Sequence, residues 1–480
     1  MTNTNVLFIM SDEHRPDAMG AAGHSLVRTP NLDRLAAAGT RFSAAYTPSP
    51  VCVSARASIM TGRWVHEIGH WSSAEPYRGE MASWGHRLGA AGCRVESIGK
   101  LHFRSSEDDN GFAAEHLALH VSGGLGWLKG LMRASPPSYD EGTSEFARDV
   151  GVGETSYTAY DRRICAAALA WLAEAPAAGE RPWVLFVSFV SPHFPLIAPA
   201  PYWDLYDGVE LGRPHRPEEE PSHPSLRALY RFYNYRDHMT PERAVLARRG
   251  YFALCSYLDG LVGELLDALD ATGRAGDTTV IYTSDHGEML GDHGMWTKML
   301  MNDASAGVPL IVRGPGVPAG AEVRVPVSLV DLYPTILECA GVGLGDGAAS
   351  AGHSLIEIAN GAVADRPVLS EFHDGGAPTG TFMLRRENWK YVHYVGERAQ
   401  LFDLAGDPME DADLGAAPEH SATRRELEGE LRAIVDPEAA NRRAFADQAR
   451  RLAALGGREA VLAMSGVHFG YTPLGEATTG

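Results

Sequence analysis

Cys52 begins the segment Cys52-Val53-Ser54-Ala55-Arg56, which runs on through a helix-forming stretch to Arg63. A cysteine at a helix start feels the positive end of the helix dipole, and Arg56 stands one turn further on. Both favour an anionic nucleophile, whereas the ordinary alternative for a lone cysteine is a small buried hydrophobe. A second set pairs Asp285 with His286 just past an apolar run, and Asp12 follows another such run. Two carboxylates and an imidazole suit a divalent cation. A third set, Lys100, His102, His193 and Lys298, supplies cations and donors that could surround an anionic ester and stabilise charge on its leaving oxygen. Taken singly, each of these residues has a plain reading as a helix cap or a solvated side chain. Their recurrence after separate apolar runs makes convergence on one site the better reading.

The apolar runs are the elements that must position these groups. Residues 6–10, 183–190 and 278–283 read as strands buried on both faces, as in a mainly parallel sheet, and residues 94–98 as a further short strand. They end in Ser11-Asp12-Glu13-His14, Gly99-Lys100-Leu101-His102, Ser191-Pro192-His193 and Ser284-Asp285-His286. Helices are expected from Pro30, capped by Thr29 and stopped by Gly39, and at 160–174, 241–269 and 330–340. The alternation predicts an α/β fold, with helices on both faces of a large mainly parallel sheet and ligands at its carboxyl edge. After residue 365 the texture changes. Short strands at 368–372, 381–385 and 390–394, a hairpin turn at 386–388, a charged helical stretch at 419–455 and an aromatic tail from 467 predict a smaller antiparallel subdomain. The expected division is a catalytic domain at 1–364 and a C-terminal subdomain at 365–480.

With 61 acidic and 42 basic residues the net charge is −19, which argues against nucleic acid or an anionic membrane as partner. An anionic substrate would therefore need a locally positive site within a negative protein. No apolar run reaches membrane-spanning length. Cys52, Cys93, Cys165, Cys255 and Cys339 are scattered without a C-x-x-C pair, so neither a zinc knuckle nor a disulfide framework is indicated. The polar residues 1–5 lead straight into the first strand, and a cytoplasmic protein with free thiols is the expectation.

The segments 5–20, 29–46, 52–63, 99–103, 191–195, 283–298, 331–341 and 401–414 together resemble the type I sulfatases of the alkaline phosphatase superfamily. They run from NVLFIMSDEHRPDAMG through CVSARASIMTGR, GKLHF, SPHFP and TSDHGEMLGDHGMWTK to LFDLAGDPMEDADL. The choline-sulfatase and phosphonate monoester hydrolase branch is the nearest in pattern, from Asp-His at 285–286 and the aromatic tail. The resemblance implies an alkaline-phosphatase-like fold and metal-dependent hydrolysis of a small anionic sulfate ester. Cys52 would be oxidised to formylglycine, whose hydrate is both nucleophile and metal ligand. Asp12, Asp285 and His286 would complete the metal site, and Arg56 would steady the nucleophile. Lys100, His102, His193 and Lys298 would contact the ester oxygens and the leaving group. The implied cofactor is one divalent ion, with manganese, zinc or iron favoured over calcium by the donor set.

The departures keep alternatives open. Ser54 stands where the family's modification motif has proline, so an unmodified Cys52 thiolate is a second possible nucleophile and a non-catalytic relative a third reading. Phosphodiester or phosphonate monoester hydrolysis is the alternative activity. Glu13 replaces the family's usual Asp or Gln, and Ser73, with His70 nearby, falls where the choline-sulfatase branch has asparagine. Trp71, Trp127, Glu371, Phe469 and Tyr471 are candidates to line a pocket for an alkyl or cationic group, with packing as the ordinary alternative. The tail would also suit a homo-oligomer, a dimer or tetramer.

Overall fold

A computed structural model describes residues 3–175, 181–215, 221–344, 350–464, 472 and 474. Its main sheet contains β1 (Asn5–Asp12), β2 (Thr40–Phe42), β3 (Arg94–Lys100), β4 (Ala114–Leu119), β5 (Trp183–Pro192), β6 (Thr278–Ser284), β7 (Leu310–Arg313) and β8 (Ala321–Val323), in the order β8-β2-β7-β6-β1-β5-β3-β4. β1 lies at the centre, parallel to both β5 and β6, and β3 continues the parallel set beside β5. β7 runs against both of its neighbours. The central strands are continuous apolar runs because both faces are covered. Leu7 and Ile9 of β1 join the core on one face, while Val6, Phe8 and Met10 join the core on the other.

Five helices frame the sheet: α1 (Pro30–Ala37), α2 (Cys52–Thr61), α3 (Ser156–Glu174), α4 (Pro241–Ala271) and α5 (Leu332–Cys339). α3 and α4 supply Ile164, Leu172, Tyr251, Leu258 and Leu265 to the first face. α2 and α5 supply Ile59, Met60, Leu332 and Ile336 to the second. Every residue of α2 is buried, so the helix that begins with Cys52 is an internal support for the sheet.

A second sheet joins β9 (Val368–Phe372), β10 (Thr381–Arg386), β11 (Trp389–Tyr394) and β12 (Gln400–Asp403), each antiparallel to the next. It meets the predicted strands within a residue or two, and the hairpin turn is Glu387-Asn388. Its core joins Leu369, Phe382, Leu384 and Leu401 to Trp64 and Trp71 from the first part of the chain. The backbone N–H of Glu371 also donates to Pro48 O, just ahead of Cys52, at 2.9 Å.

Two local expectations are corrected. Thr29 sits at the start of α1, but its side chain makes no capping bond. Instead, the carboxylate of Asp259 on α4 accepts the N–H groups of Asn31 (3.1 Å) and Leu32 (2.8 Å), a tertiary cap that only the fold can supply. The charged stretch 419–455 is two helices, α6 (Ser421–Ile434) and α7 (Pro437–Ala454). Pro437 cannot continue the preceding helix, and Asp436 caps the new one by accepting from Ala439 N at 2.9 Å. Among the described residues no helix is long and apolar enough to cross a membrane.

Candidate active site

Four strand ends meet as the alternating pattern requires. β1 delivers Asp12 and Glu13, β3 delivers Lys100 and His102, β5 delivers His193, and β6 delivers Asp285 and His286. Two of these junction residues, Glu13 and His102, have positive φ (67° and 56°), as do Thr297 and Met299 in the loop that carries Lys298 (61° and 84°). Left-handed non-glycine residues of this kind gather where the surrounding structure holds side chains in working positions. Thr297 and Met299 flank Lys298 and turn it inward, where it is 3 % exposed.

At the centre Asp12, Asp285 and His286 present three ligand atoms within 4.8 Å of one another. His286 Nε2 lies 3.8 Å from Asp12 Oδ1 and 3.7 Å from Asp285 Oδ1. His286 Nδ1 donates to Gly287 O at 3.0 Å, so the lone pair is on Nε2 and faces the carboxylates. Asp12 Oδ1 and His286 Nε2 are buried without a hydrogen-bond partner among the described residues. A buried acceptor pair of this kind is costly unless something electropositive sits between, so the residues present fit a divalent cation. A second group, Asp12, Glu13 and His193, shares Asp12 with the first.

Arg56 fixes the carboxylates. Its Nε donates to Asp285 Oδ2 (2.8 Å), Nη2 to Asp12 Oδ2 (3.1 Å), and Nη1 to Lys100 O (2.6 Å) and Ser188 Oγ (3.0 Å). Lys100 Nζ lies 2.6 Å from the same Asp12 oxygen. Burial works against the charge on Asp12, but Lys100, His193 and Arg56 outweigh it and hold the carboxyl well below its usual range. Burial pushes Glu13 well up, with Glu288 and Asp12 adding to it against the pull of Lys298. Lys298 Nζ lies 3.1 Å from His193 Nε2 and 3.4 Å from Glu13 Oε1. Although burial opposes its charge, Glu13, Cys52 and the aspartates raise the Lys298 ammonium above its ordinary value. Arg56, Lys100 and Lys298 thus gather around Asp12 and Asp285, which concentrates basic side chains at this point of an acidic protein.

Cys52 is the first residue of α2 and is 4 % exposed. Its Sγ lies 3.3 Å from His102 Nδ1. Burial pushes the thiol up to about 11, with Asp12 and Asp285 adding to it against Lys298 and Lys100. The expectation that the helix terminus and Arg56 would stabilise an anion at this position is corrected. Removal from water dominates, and the Arg56 guanidinium is committed to the two aspartates.

Several supports had no sequence signal. On α3, Asp161 accepts Val190 N (2.7 Å) and Ser191 N (2.8 Å), pinning the segment that carries His193, and burial raises its carboxyl to about 6. Asp161→Asn would set an amide donor against one of those N–H groups. Earlier thermal unfolding is expected, by about 1–3 kcal/mol, and an unchanged melting curve would refute this role. Glu288, three residues past Asp285, accepts Leu290 N and Thr297 N at 2.6 Å each and so shapes the loop to Lys298.

Trp71, Trp127 and Glu371, offered by the sequence as pocket-lining candidates, are packed among neighbouring side chains. Trp71 is fully buried, donates from Nε1 to Asp447 Oδ2 at 2.9 Å and meets His373 edge-on. Trp127 is 5 % exposed and packs against Phe232, while Gly375 leaves no room for a side chain beside its ring. Glu371 is fully buried and bound to His66 Nδ1 at 2.8 Å. Ser73 donates from its backbone N to Asp374 at 2.9 Å, and His70 Nδ1 binds Glu75 O at 2.7 Å. Phe469 and Tyr471 lie outside the described residues.

A large mainly parallel sheet with lysines, an arginine and a carboxylate–imidazole cluster at one edge, together with the likenesses that follow, places the chain among hydrolases of the alkaline phosphatase superfamily. The family model "Sulfatase" matches residues 4–342, and the chain belongs to that family. A second model, "N-sulphoglucosamine sulphohydrolase, C-terminal", matches residues 291–436. The chain is 32 % identical over 427 residues to choline-sulfatase of Rhizobium meliloti (strain 1021), covering 86 % of this chain and 83 % of that one. It is 31 % identical to arylsulfatase K of Danio rerio over 90 % of this chain and 84 % of the relative. Among solved structures, the phosphonate monoester hydrolase from Silicibacter pomeroyi superposes with a TM-score of 0.72 at 25 % identity, covering 90 % of this chain and 94 % of the other. That of Agrobacterium radiobacter gives 0.72 at 24 %, covering 90 % and 95 %. The protein is therefore a sulfuric ester hydrolase by family.

Proposed function

We propose that the protein hydrolyses small sulfate monoesters at the Cys52 site, with Cys52 converted to formylglycine and one divalent cation held by Asp12, Asp285 and His286. The observation that carries this reading is the pair of buried acceptors without a partner among the described residues, Asp12 Oδ1 and His286 Nε2, in the same cluster of charges as residue 52. When bound, the cation supplies charge that draws electron density from the ester oxygens and favours ionisation of the attacking group. An aldehyde hydrate at position 52 offers one hydroxyl to attack sulfur and a second whose deprotonation expels sulfate, an exit that a serine ester lacks.

The chain's own residues divide the remaining work by position. In an in-line displacement the attacking and departing oxygens lie on opposite sides of sulfur. His102, in contact with residue 52, serves the attacking side, and its Nδ1 is placed to exchange a proton there. Lys298, whose ammonium donates to His193 Nε2 at 3.1 Å while His193 Nδ1 donates to Phe194 O, is the donor left for the departing alkoxide. As the S–O ester bond breaks, the sulfo group passes to residue 52 and the alkoxide takes a proton from the Lys298 ammonium. Lys100 and Arg56 keep Asp12 ionised, and Arg56 orients both Asp12 and Asp285.

Phosphodiester or phosphonate monoester hydrolysis is the second reading, favoured by the likeness to the Silicibacter pomeroyi phosphonate monoester hydrolase. Both substrate classes carry one negative charge, so one pocket can hold either. Rates on an aryl sulfate and an aryl phosphodiester decide between them, and faster sulfate turnover is expected. Much faster phosphodiester turnover would overturn the first reading. Mass spectrometry of the peptide carrying residue 52 is expected to show its sulfur replaced by oxygen with the loss of two hydrogens. An intact thiol in active protein would replace the formylglycine reading with a thiolate.

A further inference from the structure

Thr472 reaches the site from the far end of the chain. Its Oγ1 lies 2.9 Å from His102 Nε2, while His102 Nδ1 faces Cys52 Sγ, so both ring nitrogens of this histidine are engaged. One side chain fixes the main chain of Thr472: Tyr157 Oη donates to its carbonyl at 3.0 Å and accepts its N–H at 2.7 Å. Tyr157 lies in the first turn of α3, is 2 % exposed and meets His193 edge-on. Thr472 is itself buried. The hydroxyl is therefore not left to find His102 from solvent. It is set in place by a buried tyrosine of α3.

A hydroxyl suits this position chemically. It can donate to a bare Nε2 or accept from Nε2–H, so it matches either tautomer of the ring. We propose that Thr472 is a positioning residue: its hydroxyl, fixed by the two bonds from Tyr157 to its main chain, holds the His102 ring with Nδ1 directed at residue 52. This rests on the reading that His102 serves residue 52.

The test compares Thr472→Val, which keeps the shape and removes the hydroxyl, with Thr472→Ser, which keeps the hydroxyl and removes the methyl, using 4-nitrophenyl sulfate. The valine variant is expected to lose about tenfold or more in kcat with little change in KM, and the serine variant to stay near wild type. Tyr157→Phe, which removes both anchoring bonds, is expected to lower kcat in the same direction. A valine variant at wild-type kcat would overturn the inference, as would a serine variant that loses as much as valine, since the methyl would then be what matters. His102→Ala separates the two levels. If it is inactive beside a fully active Thr472→Val, the inference alone fails, whereas an unimpaired His102→Ala removes the parent reading as well.

Discussion

Asp12→Asn is expected to lose the bound cation and to lower kcat/KM by at least about 10³-fold, roughly 4 kcal/mol of transition-state stabilisation. Asp12 belongs to both groups of converging ligand atoms, and its two oxygens have separate tasks. Oδ1 is the buried acceptor without a partner among the described residues, while Oδ2 takes Lys100 at 2.6 Å and Arg56 at 3.1 Å. An amide cannot serve both: either its nitrogen faces the cation or it confronts two cationic donors. Metal content per protein molecule, measured by elemental analysis, is expected to fall from about one to near zero. Adding the divalent ion to stripped wild-type protein is expected to raise its melting temperature, by about 2.7 kcal/mol of stabilisation at a hundredfold excess over Kd. The variant is expected to show no such rise. A variant that keeps its metal and its rate would remove Asp12 from the site.

Cys52→Ala should be at least as damaging to the rate, about 10⁴-fold or more and so over roughly 5 kcal/mol, with a different signature. The alanine removes the attacking group and one contact, that to His102 Nδ1. It leaves Asp12, Asp285, His286 and Arg56 in place, so most of the cation affinity should survive. α2 is held by buried neighbours along its whole length, and losing one sulfur there costs about 1 kcal/mol. The variant is therefore expected to fold and to melt within a few degrees of wild type. The two substitutions separate the roles: one loses the metal and the rate, the other chiefly the rate. Residual turnover near wild type in Cys52→Ala would place the nucleophile elsewhere.

Apart from Cys52 and Arg56, which were marked by their place at a helix start, the parts of this site visible in the sequence were those set by strand ends. An apolar run of strand length followed by polar residues identifies a buried parallel strand, and the parallel arrangement forces such ends to one edge. Asp12, Lys100, His102, His193, Asp285 and His286 were legible for that reason. Lys298 is not at a strand end, and only its place in the 283–298 motif suggested it. The supports follow no periodicity. Asp161 reaches across from α3 to the backbone of residues 190 and 191, Asp259 caps a helix more than two hundred positions earlier, and Thr472 meets His102 across 370 positions. Contacts of that range depend on tertiary placement. Trp71 and Glu371 show the opposite failure: side chains suited to ligand binding are spent on packing between the small sheet and the rest of the chain. The charge on Cys52 was misjudged for a related reason, because a helix-dipole argument takes no account of burial.

The most direct measurement is anomalous diffraction from metal-loaded crystals, collected at the absorption edge of the bound ion. One strong peak is predicted within about 2.0–2.6 Å of Asp12 Oδ1, a carboxylate oxygen of Asp285, His286 Nε2 and an oxygen on the side chain of residue 52. A peak held instead by Asp12, Glu13 and His193 away from residue 52, or no peak in this cluster, would contradict the account.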